Sequence, residues 1–233
     1  MCGISGIVGI NGSITDKHIR QTNILVNNII HRGPNQKIVK KINKKNCIGF
    51  VRLAIIDLTK NSDQPIQSLD KKVSLIFNGE IYNYLELKKT YFKNYKFKSK
   101  GDGEVLLQMY IKFGINFLDK IKGMFSIAII DERKKITYLI RDRFGIKPLY
   151  YFKTKNHIYY CSEIKGLIKT NEIAKRINMD EAKIYLSNGL INSNEQTWFK
   201  NIFQVKPGHI IKIDNKGYYQ KKYYNLKNII DEE

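Results

Sequence analysis

MCGISGIVG, residues Met1–Gly9, sets a lone cysteine behind methionine and follows it with an apolar run spaced by glycine. The run is short, apolar and partly β-branched, which predicts a strand starting at the thiol. If methionine is removed, as a small second residue permits, Cys2 carries its thiol and the free α-amine on one residue. An α-amine titrates at about 7.7–8.0, so part of it is unprotonated at neutral pH. A general base works best with a pKa near the working pH. One residue could then supply nucleophile and base together, a variant of the N-terminal activation known for threonine. An incidental cysteine at the head of a strand is the competing interpretation here. Glycines at 3, 6 and 9 would let other backbone or a ligand come close.

Outward from this strand the same texture recurs. CIGFV, RLAIIDL, VSLIFNG, FSIAIID, ITYLI, LYYF and HIYYC are rich in Ile, Tyr and Phe and bounded by Gly, Asn, Asp or Lys. DERKK and KTKNH read as hairpin turns, and Asn215-Lys216-Gly217 as the turn of a closing hairpin. Helical patterns are fewer: Thr15 to Ile30, with Ile19, Val26 and Ile30 on one face; a helix from Tyr84; Glu104 to Phe113; and about Asp180 to Ser187. Strands with helices before and between them predict an α+β layered domain, strands stacked on strands with helices outside.

The 233 residues give one large domain or two small ones room for a core. No basic n-region opens the chain, and no run reaches the roughly 18 apolar residues of a membrane span. Three widely spaced cysteines, Cys2, Cys47 and Cys161, argue against a disulfide framework or zinc site and for a reducing compartment. The formal charge of +20 suggests polyanion binding, but 34 Lys stand against 7 Arg, 38 Ile against 7 Val and 22 Asn against 4 Ala. That skew matches AT-rich codons. The lysines are dispersed and arginine, the better reader of bases and phosphates, is scarce. No specific nucleic-acid partner is expected.

Five further stretches carry candidate chemistry. In VSLIFNGEIYNY the Asn78 amide and Gly79 N–H could point into one space, as the paired donors of an oxyanion hole do, with Glu80 beside them. Asn and Gly also end strands routinely. Arg52, heading the RLAIIDL strand, could grip a carboxylate bidentately or simply snorkel. Asp102 in KGDGEVLL either caps a helix or holds an ammonium. HRGPN reads as a helix stop and turn, with His31 structural. RDRFGIKPLYY reads as a salt-linked turn without catalytic duty. Together they supply a thiol, donors for an oxyanion, a cation for an α-carboxylate and an anion for an α-ammonium. Those are the needs of an amide hydrolase acting on a free amino acid.

MCGISGIVG, HRGPN, RLAIIDL, FNGEIYNY, GDGEVLL, GMFSIAIID, RDRFGIKPLYY and SEIKGL occur in this order. The set resembles the glutaminase domain of asparagine synthetases, a class II glutamine amidotransferase of the N-terminal nucleophile hydrolase type. Met1 to Leu167 carries the similarity densely. Relatives serving purine or glucosamine synthesis typically have Arg-Trp-Ala-Thr or Arg-Tyr-Ser-Thr where this chain has RLAI, and His-Asn-Gly where it has FNG. The resemblance implies an α+β fold in a four-layer αββα sandwich over residues 2–220, with 221–233 a tail or the start of a linker to a synthetase domain.

By the same resemblance Cys2 is the nucleophile, Asn78 and Gly79 form the oxyanion hole, and Arg52 binds the glutamine carboxylate. Glu80 and Asp102 bind its other polar groups, and Leu53, Ala54, Ile55 and Ile56 supply backbone and wall. Cys2 would attack the side-chain amide of L-glutamine, release ammonia and leave a thioester for water. No metal or cofactor is implied for that step. ATP and Mg would belong to the synthetase domain, whose Ser-Gly-Gly-x-Asp-Ser loop does not occur in the sequence. Ammonia would then pass to a separate domain or subunit that amidates aspartate or another acceptor. The implied setting is cytoplasmic, away from membranes. A non-catalytic regulatory module of the same fold is the alternative. Many relatives read HRGPD where this chain has Asn35, a change expected to matter little.

Overall fold

A computed structural model of the chain describes residues 1–191 and 194–226. The predicted IIDEE tail lies outside them. Among the described residues twelve strands run in chain order β1 (Gly3–Gly9), β2 (Gln36–Lys41), β3 (Asn46–Arg52), β4 (Ile66–Gln67), β5 (Val73–Ile81), β6 (Gly123–Asp131), β7 (Ile136–Arg141), β8 (Tyr150–Lys153), β9 (His157–Cys161), β10 (Phe203–Gln204), β11 (His209–Asp214) and β12 (Gly217–Lys222). The helices are α1 (Asp16–Asn27), α2 (Tyr84–Tyr91), α3 (Asp102–Phe113), α4 (Ile164–Lys169) and α5 (Met179–Asn188). The strands make two antiparallel six-stranded sheets, ordered β10-β8-β9-β1-β3-β2 and β12-β11-β7-β6-β5-β4.

Period-two alternation sends successive side chains into different layers. From the first sheet Ile4, Val8, Ile48 and Phe50 meet Ile76, Ala128, Ile130 and Leu139 of the second, forming the inner core. Ile7, Cys47 and Val51 point the other way, onto Leu25 and Val26 of α1 and Leu167 of α4. Leu75, Phe77, Ile127 and Ile129 likewise turn outward onto Val105, Leu106 and Met109 of α3. The result is the predicted αββα stack. A strand covered on both faces is largely apolar, as β1 is, and its one polar side chain, Ser5, donates to the Gly49 carbonyl at 3.2 Å. Each large apolar side chain fully buried in these layers contributes roughly 1.5–3 kcal/mol.

Several predicted boundaries shift. α1 stops at Asn27, and Ile30 is 40% exposed in the 3-10 turn Ile30–Arg32 rather than on the buried face. The Asn28 side chain donates to the Ile24 carbonyl at 2.8 Å, the local competition by which asparagine ends helices. RLAIIDL is not a strand. Arg52 is the last residue of β3, not the head of a strand, and residues 53–63 leave the sheet. Gly33 makes this exit possible: a Cβ there would lie 2.4 Å from the Arg52 carbonyl carbon, so only glycine lets HRGPN wedge against the strand end. Asp102 is the first residue of α3, with Gly101 at its N-cap. The final hairpin forms as predicted, but β12 runs through Lys222 and Tyr223 packs on the second sheet, so the sandwich extends past position 220.

Candidate active site

β1 and β5 face each other across the sandwich, and the site forms where the approach to β1 meets the end of β5. A cavity of about 170 Å³ lies there, lined by Cys2, Arg52, Asn78, Gly79, Glu80 and Asp102 together with Met1, Leu53, Ile55, Ile56 and Lys147. A larger opening of about 610 Å³ sits at the far end of β1, around Ile10, Lys44, Thr137 and Asp214, and no cysteine, serine or histidine reaches it.

The Cys2 sulfur is half-buried against Leu53, whose N–H lies 3.4 Å from it and whose carbonyl accepts from the thiol at 3.6 Å. Burial pushes the thiol pKa up, while the Leu53 hydrogen bond, the N-terminal ammonium and Arg52 pull it down. The Cys2 carbonyl accepts from Arg32 Nε at 2.9 Å, and Arg32 Nη1 is tied to Glu163 at 2.9 Å. His31 also contacts Glu163 (2.8 Å), so it buttresses Arg32 and does not enter the cavity.

Opposite stands Asn78. Ile76 and Asn78 share a face of β5, so the amide points toward the first sheet. It is 1% exposed, and its Nδ2 has no hydrogen-bond partner among the described residues. A buried donor left unmade costs about 1–3 kcal/mol. Gly79 offers a second donor. The flanking N–H groups of Phe77 and Ile81 point to the outer edge of β5, donating to Gln64 Oε1 (2.7 Å) and Asp102 Oδ2 (2.9 Å). In an antiparallel pair alternate amides share a side, so the Gly79 N–H aims at this edge and the cavity. A Cβ at Gly79 would lie 2.1 Å from the Met124 carbonyl oxygen, which keeps the position glycine.

Arg52 is anchored rather than snorkelling. Nη1 donates to the Thr59 carbonyl (2.9 Å) and Asp63 (2.7 Å), and Nη2 to the Asp57 carbonyl. Of five N–H donors, the Nε–H and one on Nη2 make no hydrogen bond to the described residues, and two such guanidinium donors can grip a carboxylate. Asp57 folds the same loop by accepting from Thr59, Ser62 and the Lys100 N–H; the Thr59 hydrogen bonds hold its carboxyl well below the usual range. Asn35 is not idle: its side chain accepts the Ala54 N–H at 3.0 Å. Ile55 and Ile56 stand at the rim, 70% and 40% exposed, and Ala54 does not line the cavity. Glu80 is exposed at the mouth. Burial raises the Asp102 carboxyl to about 6 against the Ile81 hydrogen bond.

Every predicted site residue except Ala54 therefore meets at one cavity. Arg32 and Lys147 were missed. Both lie inside quoted motifs, HRGPN and RDRFGIKPLYY, and unexplained basic residues there were the available signal.

Among solved structures, a glutamine phosphoribosylpyrophosphate amidotransferase from Bacillus subtilis, complexed with ADP and GMP, matches 96% of this chain and 49% of its own, at TM-score 0.69 and 20% identity. That likeness shows the fold, an α+β sandwich shared with that amidotransferase. Residues 1–224 match the family described as the glutamine amidotransferase domain, and the chain belongs to that family. It is 37% identical over 99% of its length to glutamine-hydrolyzing asparagine synthetase 2 of B. subtilis (strain 168), and 34% identical over 100% to asparagine synthetase 1 of that organism. It spans 31% and 37% of those two relatives. No described helix is long and apolar enough to cross a membrane.

Proposed function

We propose that this chain hydrolyses L-glutamine to glutamate and ammonia through a thioester on Cys2, the α-amine of Cys2 serving as base once Met1 is removed. The thiol proton passes to the amine as sulfur bonds to the side-chain carbonyl carbon. The carbonyl oxygen takes up negative charge facing Asn78 Nδ2 and the Gly79 N–H. Collapse breaks the C–N bond, and the amine returns its proton to the departing ammonia. Water then attacks the thioester by the same route, releasing the carboxylate and restoring the thiol. A burial-raised thiol pKa keeps resting Cys2 protonated, so an adjacent base is what the site requires. Arg52's two remaining donors take the substrate α-carboxylate, and Asp102 and Glu80 face its ammonium. An analogue lacking either charge strands a buried partner and is rejected.

The observation that carries this reading is the unpartnered, buried Nδ2 of Asn78 in the cavity that holds Cys2. Such a donor is expensive unless charge develops in front of it, and a purely structural module would have no use for it. Because the chain resembles asparagine synthetases over its whole length, the ammonia is assigned to ATP-dependent amidation of aspartate by the remainder such enzymes possess, where ATP and Mg would act. The hydrolytic half needs neither metal nor cofactor, and its free thiol suits a reducing cytoplasm. The test is glutamate release from Met1-processed protein. The parent should turn over and Cys2→Ala should not; equal turnover by both would refute the assignment.

A further inference from the structure

RDRFGIKPLYY forms a turn with no ion pair between its own Arg and Asp residues; its locks are side chain to backbone. Asp142 accepts from the N–H groups of Phe125 (3.2 Å), Phe144 (3.1 Å), Ile146 (2.9 Å) and Lys147 (2.9 Å). Arg141 donates to the carbonyls of Lys147 (3.1 Å), Gly145 (2.8 Å) and Val205 (2.8 Å) and to Gln204 Oε1 (2.7 Å). Two buried charged residues thus fix the backbone of Lys147 from both sides. The residue is 6% exposed and lines the Cys2 cavity. There its Nζ lies 2.9 Å from Met1 Sδ, and among the described residues no carboxylate comes within 4 Å of it. A buried ammonium without an anion is costly, and the braced turn fixes the backbone from which this side chain reaches the cavity.

We infer that Lys147 is an electrostatic positioning residue, whose ammonium favours the thiolate and the unprotonated amine of Cys2 and so widens the pH range over which the nucleophile is ready. This rests on the reading of Cys2 as nucleophile. Removing Met1 takes away the side-chain hydrogen bond that the ammonium makes among the described residues, in the cavity that it shares with Cys2. The other charges around that terminus are Arg32 from the 3-10 turn, Arg52 at the end of β3, Glu80 on β5, Asp102 on α3 and Asp142 in the turn itself. Arg32 and Arg52 act with Lys147; Glu80, Asp102 and Asp142 act against them. Burial first, then Arg32, lowers the Lys147 pKa, whereas Asp142, Glu80 and Cys2 favour its ammonium form. In the unprocessed chain burial lowers the Met1 amine first, Cys2 opposes that, and Arg32 and Lys147 lower it further.

The test is the pH dependence of iodoacetamide alkylation at Cys2 in Met1-processed protein, read by peptide mass. Cys47 and Cys161, both 0% exposed, serve as unreactive references. Lys147→Met keeps the length and all backbone contacts but removes the charge; Lys147→Gln substitutes if that variant does not fold. Loss of the cation should displace the alkylation midpoint upward by about one pH unit. Lys147→Arg should stay with the parent, and the acid limb of kcat/KM for glutamine should move as alkylation does. A neutral variant whose alkylation curve superposes on the parent's overturns the inference. Alkylation needs no turnover, so this result is separate from Cys2→Ala, which judges the nucleophile alone.

Discussion

One residue's backbone holds the Cys2 sulfur: the Leu53 N–H lies 3.4 Å from it and the Leu53 carbonyl 3.6 Å. The thiol is therefore aimed by the strand exit at Arg52 and not by a side-chain partner. Cys2→Ser keeps that geometry with a far weaker nucleophile, and glutamate release should fall about 10³-fold or more while thermal unfolding stays near the parent's. An uncleavable residue placed before Cys2 should do the same by consuming the free amine. Intact mass alongside a glutaminase assay checks both.

Asn78→Ala separates chemistry from stability. Its Nδ2 has no protein partner to lose, so unfolding should be unchanged or slightly later. Loss of an oxyanion donor should lower kcat about 10²–10³-fold with KM for glutamine moving little. Steady-state kinetics with a thermal melt reads both; equal losses in kcat and stability would count against the donor role.

Asp102 makes a pH signature. Its folded carboxyl titrates at about 6 because of burial, against about 3.9 in an unfolded chain. Between those values the folded state holds a proton that the unfolded one lacks. Stability should therefore decline as pH rises from about 4 to about 6, by up to about 3 kcal/mol, and Asp102→Asn should abolish that slope. Substrate ammonium favours the ionised form, so KM for glutamine should climb as pH drops through about 6. Urea melts and KM measured across pH 4.5–7.5 test the two halves independently.

Much of the sandwich was legible because its strands are covered on both sides: in β1, β5 and β6 the few polar positions, such as Ser5, Ser74 and Ser126, leave the runs of Ile, Leu and Phe easy to read. RLAIIDL misled for the same reason. Its apolarity matches a strand, but Gly33 wedged at Arg52 and the Asn35 hold on Ala54 are contacts formed only on folding, and they divert it into a cavity wall. β2, QKIVKK, escaped notice because an exposed edge strand is written in lysine, which blunts pairing with other chains. α4 is six residues, too short to show a period. Cys2, Asn78 and Asp102 are separated by 76 and 24 positions, so their meeting was visible only through resemblance. Lys147 depends on how a turn closes, and sequence spacing does not carry that.

The turn itself should be a stability determinant. Asp142 is 1% exposed and accepts four backbone hydrogen bonds, two at each oxygen. Asp142→Asn sets an amide against two of those donors, and a loss of about 3 kcal/mol is expected, with Tm lower by roughly 6–12 °C. Differential scanning calorimetry measures it. A change under 2 °C would show that the brace is not needed for folding.

Sulfur comes from one sheet and the amide donors facing it from the other, so neither half can act alone. The glutamine cleavage proposed above would therefore report whether the two sheets are docked. A nascent or heat-loosened chain, with its ribbons formed but slipped by an ångström or two, would spare the cell's glutamine instead of wasting it. On gentle warming, turnover should vanish before far-ultraviolet ellipticity does.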